Sequence, residues 1–319
     1  MSTRIVLLVT SPRLPAGLLT AEAWDTVRSG PVFAAAESEQ AVALRAAGVP
    51  VTVLDTDAQG LLDAIGTAPL AVWLAGPHGD QPFARQLGLR LAREPGLAEL
   101  ELMYGSWDPP GARLLDAVAV MDRLLSPGGD PWKRAQSHRT LAPYLLEESY
   151  EAYDAIERDD LDELREELGD VLLQIVLHAR LAQELPDGRA WTVDDVAATL
   201  VEKMVRRNPH VFAGEPVEDI EEITANWERI KREEKARDSV LDGVALSQPA
   251  LALAAKILQR VERGAVDVPL PAGDDLGPAL LRLVAEARAA GRDPEAELRQ
   301  ATLEYAEAVR AAEIVGPAE

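Results

Sequence analysis

Cysteine is absent from the 319-residue sequence, which excludes disulfide bonds, thiolate metal ligands and a cysteine nucleophile. Aromatic residues make up only 4% of the chain, so aliphatic side chains and alanine must fill most of its core. No window approaches the roughly 18 apolar residues of a membrane-spanning helix. The apolar run near the N-terminus is too short for a secretory signal peptide. We therefore expect a cytoplasmic protein that does not insert into membranes.

Basic residues are scarce relative to acidic ones. The sequence has 32 Lys and Arg residues against 54 Asp and Glu residues, which gives a net charge of −22. A surface with this charge repels nucleic acid polymers and anionic membranes. We therefore exclude both as partners, whereas a single nucleotide bound through a divalent cation is compatible with the charge.

Residues 1–106 alternate between short β-rich segments and helical segments. The expected strands are Arg4–Thr10, Pro31–Ala36, Val49–Leu54, Pro69–Ala75 and Leu97–Met103. Strands that alternate with helices predict a parallel α/β sheet. The glycines and prolines between Tyr104 and Gly111 indicate a linker, and mainly helical patterns follow it. The fold class is therefore mainly α, with an N-terminal α/β domain.

Two pairs of carboxylates stand out in the helical part. Glu148 and Glu151 form one pair and Glu167 and Asp170 the other, each with the i, i+3 spacing of neighbours on a helix surface. Arg158–Asp160 can form a turn between the two helices. Side chains suited to a buried face recur at Leu145, Ser149, Ala152 and Ile156, then at Leu161, Leu164, Leu168, Val171, Leu172 and Ile175. Antiparallel packing of these faces would bring the acidic pairs together.

Facing carboxylates repel one another, and a hard cation such as Mg²⁺ relieves that repulsion because it prefers oxygen ligands. The same spacing also fits solvated helix faces. The window from Glu147 to Asp170 contains twelve acidic residues, with Arg158 and Arg165 as its basic ones, so an E-x-x-E pattern can arise by chance. The spacing alone leaves both interpretations open.

The segments LEESYEAYDAI and LREELGDVLLQIV resemble the signature of MazG-type nucleoside triphosphate pyrophosphohydrolases. The resemblance extends from about Gly111 to about Gly264. It implies an all-α helical bundle that hydrolyses nucleoside triphosphates, NTP or dNTP, to the monophosphate and pyrophosphate in house-cleaning of the nucleotide pool. It also implies Mg²⁺ as cofactor, with Mn²⁺ as an alternative.

The family pattern E-x-x-E followed by E-x-x-D implies metal ligands at Glu148, Glu151, Glu167 and Asp170. Glu147 is the first acid of the family's E-E pair. By this resemblance, Glu147 and Glu148 are the candidate catalytic carboxylates, with Glu147 positioning or deprotonating the attacking water.

A proline-tryptophan motif precedes the first acidic helix. Trp132 and His138 match the family's C-P-W-D-x-x-Q-T-H segment, but Asp130 replaces its cysteine and Lys133 its aspartate. Trp132 can stack on a nucleotide base, or it can anchor packing. His138 is expected to be structural.

Basic residues near the end of the third helix also match the family. The sequence KMVRRNPHVF resembles its K-x-x-R-R-x-P-H-V-F segment and implies that Lys203, Arg206 and Arg207 bind the triphosphate. The alternative is that these cations complement the helix dipole. Trp227 and Lys231 match a family segment that closes over the nucleotide.

The two ends of the chain resemble incomplete domains. The segment LLTAEAWDTVRSG resembles the start of tetrapyrrole methylases, but SPRLPA replaces their glycine-rich loop, so 1–106 is interpreted as an inactive half domain. LGPALLRLV near the C-terminus repeats LGDVLLQIV, with Pro278 in the place of Asp170. We therefore predict a catalytic MazG domain at 111–243 and a degenerate second copy at 244–319.

The resemblance implies a homodimer, because family members pair helices from two chains. A rival hypothesis is a non-enzymatic regulator, in which the helical domain senses a nucleotide or only dimerises. The altered Asp130–Lys133 loop and the degenerate tail favour the regulator, whereas the complete set of four carboxylates favours the enzyme.

Overall fold

The computed structural model describes residues 3–77, 79–217, 219–234, 239–273 and 275–315. The chain forms two compact units, Met1–Ala198 and Thr199–Glu319. The division into 1–106, 111–243 and 244–319 stays a prediction, because these units follow a different boundary. Among the described residues, no helix is both long enough and apolar enough to span a membrane.

The first unit begins with a five-stranded sheet in the order β3-β2-β4-β1-β5. Its strands are β1 (Thr3–Val9), β2 (Val32–Ala34), β3 (Val51–Val53), β4 (Leu70–Leu74) and β5 (Ala98–Tyr104). All four strand pairings are parallel, and Ile5 of β1 lies opposite Ala71 of β4 and Leu100 of β5. Each predicted strand segment overlaps one of these strands, so the predicted parallel α/β sheet is confirmed.

Helices cover both faces of this sheet. They are α1 (Ala21–Ser29), α2 (Glu39–Ala46), α3 (Ala58–Ile65) and α4 (Gln81–Arg93). Alternate residues of β1 point to opposite faces, so Val6 packs in the core with α1 and α2, and Ile5 in the core with α3 and α4. Thr20 caps α1, with its side chain accepting a hydrogen bond from the Ala23 N–H.

The first unit continues with α5 (Arg113–Leu125), α6 (Pro131–Arg134), α7 (His138–Glu157) and α8 (Leu161–Ala182). Ser137 and Thr140 form a capping box at the start of α7. The chain then reverses over three residues, with Asp159 at φ 54°, and Asp160 caps α8 by accepting from the Glu163 N–H. The predicted turn at Arg158–Asp160 therefore joins two helices, and the short connection makes them antiparallel neighbours.

The predicted packing face between α7 and α8 is only partly correct. The buried residues are Leu141, Ala152 and Ala155 on α7 and Gln174, Val176, Leu177, Ala179 and Ala182 on α8. In contrast, Ile156, Leu161, Leu168 and Ile175 are 40–72% exposed. The apolar stripe is wider than the surface that α5 and α7 cover, because Met121 and Leu125 of α5 pack only on the side of Val176 and Leu177. The expectation of burial is wrong for these four residues.

The second unit contains the end of α9 (Val193–Arg207), then α10 (Pro209–Phe212), α11 (Ile220–Glu233), α12 (Ala250–Arg263), α13 (Leu276–Ala289) and α14 (Pro294–Val315). Thr192 caps α9, since the Asp195 N–H donates to the Thr192 hydroxyl and the Asp195 carboxylate accepts from the Thr192 N–H at 2.7 Å. Within the described part of α12–α14, Val284 alone is fully buried. The tail therefore presents much apolar surface.

The burial of Leu177 gives a test of the α7–α8 packing. Leu177 is 1% exposed, so Leu177→Ala should lower the free energy of unfolding by about 2–5 kcal/mol through lost contacts and a residual cavity. Leu89→Ala makes the same truncation at a residue of α4 that is 54% exposed and should cost about 0.5 kcal/mol or less. Urea unfolding followed by circular dichroism measures both, and equal losses would contradict the packing.

Candidate active site

Three of the predicted metal ligands converge at the surface of α7 and α8. Glu148 and Glu151 of α7 and Glu167 of α8 each present a ligand oxygen, and these oxygens all lie within 4.8 Å of one another. The antiparallel pairing of the helices brings the two acidic flanks together. Asp170 lies one turn after Glu167, and its charge acts on both Glu148 and Glu167.

The electrostatics of this cluster disfavour four free negative charges. Burial raises the pKa of Glu148, and the charges of Asp170, Glu151 and Glu147 and a hydrogen bond with Glu151 raise it further. Burial also raises the pKa of Glu167, followed by the charges of Glu151 and Asp170. Each carboxylate thus makes ionisation of its neighbours less favourable.

The donors in the cluster fit a hard divalent cation. Within the described residues, no Lys or Arg forms a salt bridge with Glu148, Glu151, Glu167 or Asp170. The donor set consists of carboxylate oxygens, which are the ligands that Mg²⁺ and Mn²⁺ take in proteins. A bound cation would replace mutual repulsion with attraction to every carboxylate.

Glu147 is exposed next to Glu148, and its negative charge contributes to the raised pKa of that neighbour. Glu147 and Glu151 stand four residues apart on α7 and share a helix surface. The candidate catalytic carboxylates therefore adjoin the cluster, with Glu148 inside it and Glu147 at its edge.

The altered loop before α7 has a local structural explanation. Asp130, which replaces the family's cysteine, caps α6 by accepting a 2.7 Å hydrogen bond from the Lys133 N–H. Trp132 contacts Tyr144 edge to face, with ring centroids 5.9 Å apart, and the Lys133 ammonium lies 5.6 Å from its ring centroid. Trp132 is still 51% exposed, so the packing leaves a large part of its surface open to a ligand.

His138 forms a contact that the sequence pattern did not predict. Its Nδ1 lies 2.7 Å from Nδ1 of His178 on α8, the two rings stack, and Trp191 stacks near His138. Burial and the nearby His138 lower the pKa of His178. The pair connects the start of α7 to α8, which agrees with a structural role for His138.

The basic cluster in the second unit is already paired with a carboxylate. Arg206 Nε lies 2.7 Å from Glu234 Oε1, and Arg207 Nη2 lies 2.6 Å from Glu234 Oε2. The Arg207 guanidinium lies 5.4 Å from the ring centroid of Trp227. Hydrogen bonds from Arg207 and Arg206 lower the pKa of Glu234 to about 2.

Lys203 is half-buried on α9, and no described residue forms a salt bridge with it. Lys231 is half-buried on α11, four residues after Trp227. Glu234 was not predicted from the sequence as a partner of Arg206 and Arg207. Its spacing of seven from Trp227 and three from Lys231 places it on the same helix face and was the available signal.

A separate cleft of about 1190 Å³ lies at the carboxyl ends of β1, β4 and β5. Arg13 in its wall pairs with Asp108 and with Asp116, the latter at 2.6 Å. In the Gly76–Asp80 segment, the Gly79 N–H bonds to the Gly76 carbonyl and Asp80 accepts from the Trp73 indole at 2.7 Å. The described part is therefore a turn fixed by Asp80, and His78 lies outside the described residues.

Comparisons with known proteins identify the family. The model of the MazG nucleotide pyrophosphohydrolase domain matches residues 136–212. The chain is 36% identical over 216 residues to the nucleoside triphosphate pyrophosphohydrolase/pyrophosphatase MazG of Thermotoga maritima, a match that covers 60% of this chain and 82% of that protein. The chain belongs to the MazG family. The matched domain includes both acidic pairs and the Lys203–Arg207 cluster.

Two further relatives show how much of this chain is similar to other proteins. An uncharacterised 26.1 kDa protein of Streptomyces cacaoi is 50% identical over 219 residues, covering 68% of this chain and 89% of the relative. A nucleoside triphosphate pyrophosphohydrolase of Mycolicibacterium smegmatis is 48% identical over 207 residues, covering 64% of this chain. This chain spans only 60% of that relative's length.

The charge repulsion in the cluster predicts a stability change with pH. Because the pKa of Glu148 is higher in the folded chain than in an unfolded one, its ionisation destabilises the metal-free fold as the pH rises. Glu148→Gln should therefore raise the melting temperature of metal-free protein at neutral pH. This gain should shrink as the pH falls and the wild-type carboxyl becomes protonated.

Thermal unfolding in EDTA measures the effect, from neutral pH down to the pH at which the Glu148 carboxyl is protonated. Glu157→Gln removes the same charge from the far end of α7 and serves as the control. A Glu148→Gln protein that is less stable than the wild type at neutral pH would contradict the repulsion.

Proposed function

We propose that this chain is a metal-dependent pyrophosphohydrolase that splits NTPs and dNTPs into the monophosphate and pyrophosphate, with a house-cleaning role in the nucleotide pool. The observation that carries this proposal is the convergence of Glu148, Glu151 and Glu167 within 4.8 Å, without a basic partner among the described residues, inside the MazG domain. Such a cluster suits a divalent cation, and a nucleoside triphosphate is a ligand of that cation.

The metal ligands in this proposal are Glu148, Glu151, Glu167 and Asp170, with Mg²⁺ as the cation and Mn²⁺ as an alternative. When bound, the cation supplies Lewis-acid polarisation of the α-phosphate and neutralises charge on the leaving pyrophosphate. The carboxylates of the chain fix its position from two helices. Their arrangement on α7 and α8 requires only the short turn at Arg158–Asp160 to hold both pairs in place.

Glu147 and Glu148 are the proposed catalytic carboxylates. One of them accepts a proton from water while the water oxygen forms a bond to the α-phosphorus. The bond between that phosphorus and the bridging oxygen to the β-phosphorus breaks, and pyrophosphate leaves. The exposed position of Glu147 beside Glu148 suits a group that exchanges its proton with solvent between turnovers.

The MazG resemblance assigns the substrate contacts. Lys203, Arg206 and Arg207 would bind the phosphates, and guanidinium groups suit this role because they bind phosphate oxygens in a bidentate manner. Trp132 would stack on the base, which its 51% exposure allows. Trp227 and Lys231 of α11 would complete the nucleotide contacts.

We also propose that the chain forms a homodimer through its helical region. Ile156, Leu161, Leu168 and Ile175 leave an apolar stripe on α7 and α8 exposed in the single chain. Contiguous exposed apolar residues often mark interaction sites on the surface of a protein. The tail adds Leu280, Leu283 and Leu298, which are 42–59% exposed.

The N-terminal region 1–106 is proposed to be an inactive methylase-like half domain. The loop after β1 carries Arg13, whose guanidinium is paired with Asp108 and Asp116, where the methylase pattern has glycines. The rival function, a regulator that binds nucleotide without hydrolysis, is favoured by one observation, the pairing of Arg206 and Arg207 with Glu234.

Removal of the metal or of one ligand tests the enzyme against the regulator. Wild-type protein should release pyrophosphate from mixed NTPs with Mg²⁺ and lose that activity in EDTA. Glu151→Ala, Glu167→Ala or Asp170→Ala should each lower kcat by about 100-fold or more, because each weakens the metal site that stabilises the transition state.

Glu157→Ala, on the same helix as Glu151 but outside the cluster, should retain wild-type turnover. Full activity in the Glu167→Ala protein would overturn the metal site. Nucleotide binding by wild-type protein without pyrophosphate release would instead support the regulator.

The exposed stripe gives a test of dimerisation. Leu168→Glu places a charge in the proposed interface and should weaken the dimer by about 100-fold or more, because burying an unpaired carboxylate is costly. Leu89→Glu makes the same change at an equally exposed residue of α4, 54% exposed, and should leave the dimer intact. Light scattering across a concentration series measures both, and a monomeric wild-type protein with full turnover would contradict the proposal.

A further inference from the structure

Glu234 joins the two arginines that the family resemblance assigns to the triphosphate. Its two carboxylate oxygens receive hydrogen bonds from both guanidinium groups, at 2.7 Å from Arg206 Nε and 2.6 Å from Arg207 Nη2. The side chains of Glu234 and Arg207 are each 12% exposed, whereas that of Arg206 is 54% exposed. The Arg207 pair is thus largely shielded from solvent, which strengthens it relative to a surface ion pair.

Glu234 occupies the Nε–Nη2 edge of the Arg207 guanidinium, which is the edge that a phosphate would also bind. Arg207 donates from Nε at 3.2 Å and from Nη2 at 2.6 Å to Glu234, which is a bidentate arrangement. Carboxylate and phosphate groups compete for this same guanidinium edge because both present two oxygens at matching spacing. One edge cannot serve both anions at once.

The side chain of Glu234 is held by the arginines, while its backbone N–H donates to the Ile230 carbonyl of α11. Glu234 is the C-terminal cap residue of this helix, where a negative charge is unfavourable next to the helix dipole. A cleft of about 420 Å³, lined by Arg206, Pro209, Glu215, Arg229, Ile230 and Glu234, adjoins the pair and leaves space beside the carboxylate.

Two features keep Arg207 ready for another anion after Glu234 leaves. The guanidinium lies against the Trp227 ring, 5.4 Å from its centroid, so it keeps a contact that Glu234 does not supply. The pKa of Glu234 is lowered to about 2, so protonation does not release the carboxylate near neutral pH. Release requires a competing anion.

We propose that Glu234 is an internal anion that occupies the phosphate-binding edges of Arg206 and Arg207 and is displaced by the triphosphate of the nucleotide. Glu234 is a positioning residue, since it acts through the arginines and sets how much substrate binding energy is used to free them. This inference rests on the proposed function. It explains the affinity of the chain for its substrate by competition between Glu234 and the triphosphate for Arg206 and Arg207.

Glu234→Gln tests the competition, because glutamine keeps the size of the side chain but removes the charge that the arginines bind. The dissociation constant for inorganic triphosphate with Mg²⁺ should fall by roughly tenfold, the factor expected when one charge-assisted hydrogen bond no longer has to be broken. KM for nucleoside triphosphate should fall in parallel, with a smaller change in kcat. Isothermal titration calorimetry and steady-state kinetics on the full chain measure these values.

Glu221→Gln is the matched control, since it removes one charge from the first turn of the same helix, far from the arginines. It should leave both constants unchanged. Glu234→Asp retains the charge on a shorter side chain and should bind triphosphate between the wild type and Glu234→Gln. If the Glu234→Gln protein loses its helical circular dichroism and therefore does not fold, Glu234→Asp takes its place as the test of the competition.

An unchanged or higher triphosphate dissociation constant in folded Glu234→Gln would overturn the inference and leave Glu234 as a structural clamp between α9 and α11. Equal tightening in Glu221→Gln would also overturn it, because the effect would then be one of net charge. If wild-type protein fails to hydrolyse any nucleotide but Glu234→Gln still binds triphosphate more tightly, only the proposed hydrolysis fails.

Discussion

Repulsion among the carboxylates of α7 and α8 is the constraint on which the rest of the helical domain depends. The short turn at Arg158–Asp160 and the buried contacts of Ala152 and Ala155 prevent the two acidic flanks from separating. Burial raises the pKa values of Glu148 and Glu167, and the charges of the neighbouring carboxylates raise them further. A divalent cation that binds only the folded arrangement relieves this repulsion, so metal binding and stability of the helix pair are linked.

In the second unit, the clustered charges are positive and are paired with a carboxylate of the same unit. Arg206 and Arg207 have an internal partner in Glu234, whereas the carboxylates of α7 and α8 have no basic partner among the described residues. Acidic residues outnumber basic ones by 54 to 32, so not every carboxylate can have a basic partner of its own.

Much of the fold followed from local patterns. The alternation of strands and helices before Gly111 predicted the parallel sheet, and the Arg158–Asp160 segment predicted the turn between α7 and α8. The outward positions of Leu168 and Ile175 did not follow, because periodicity shows which face is apolar and not how much of it a neighbouring helix covers. The contacts of His178 and Glu234 were missed for a related reason, since each joins elements distant in sequence whose meeting depends on packing.

The central claim is that the chain's carboxylate cluster directs water to the α-phosphorus of a nucleoside triphosphate. Hydrolysis in ¹⁸O-labelled water, with the products separated and analysed by mass spectrometry, tests this claim most directly. We expect one ¹⁸O atom in the nucleoside monophosphate and none in pyrophosphate, with no labelled product in EDTA. Label in pyrophosphate, or release of inorganic phosphate as the labelled product, would contradict it.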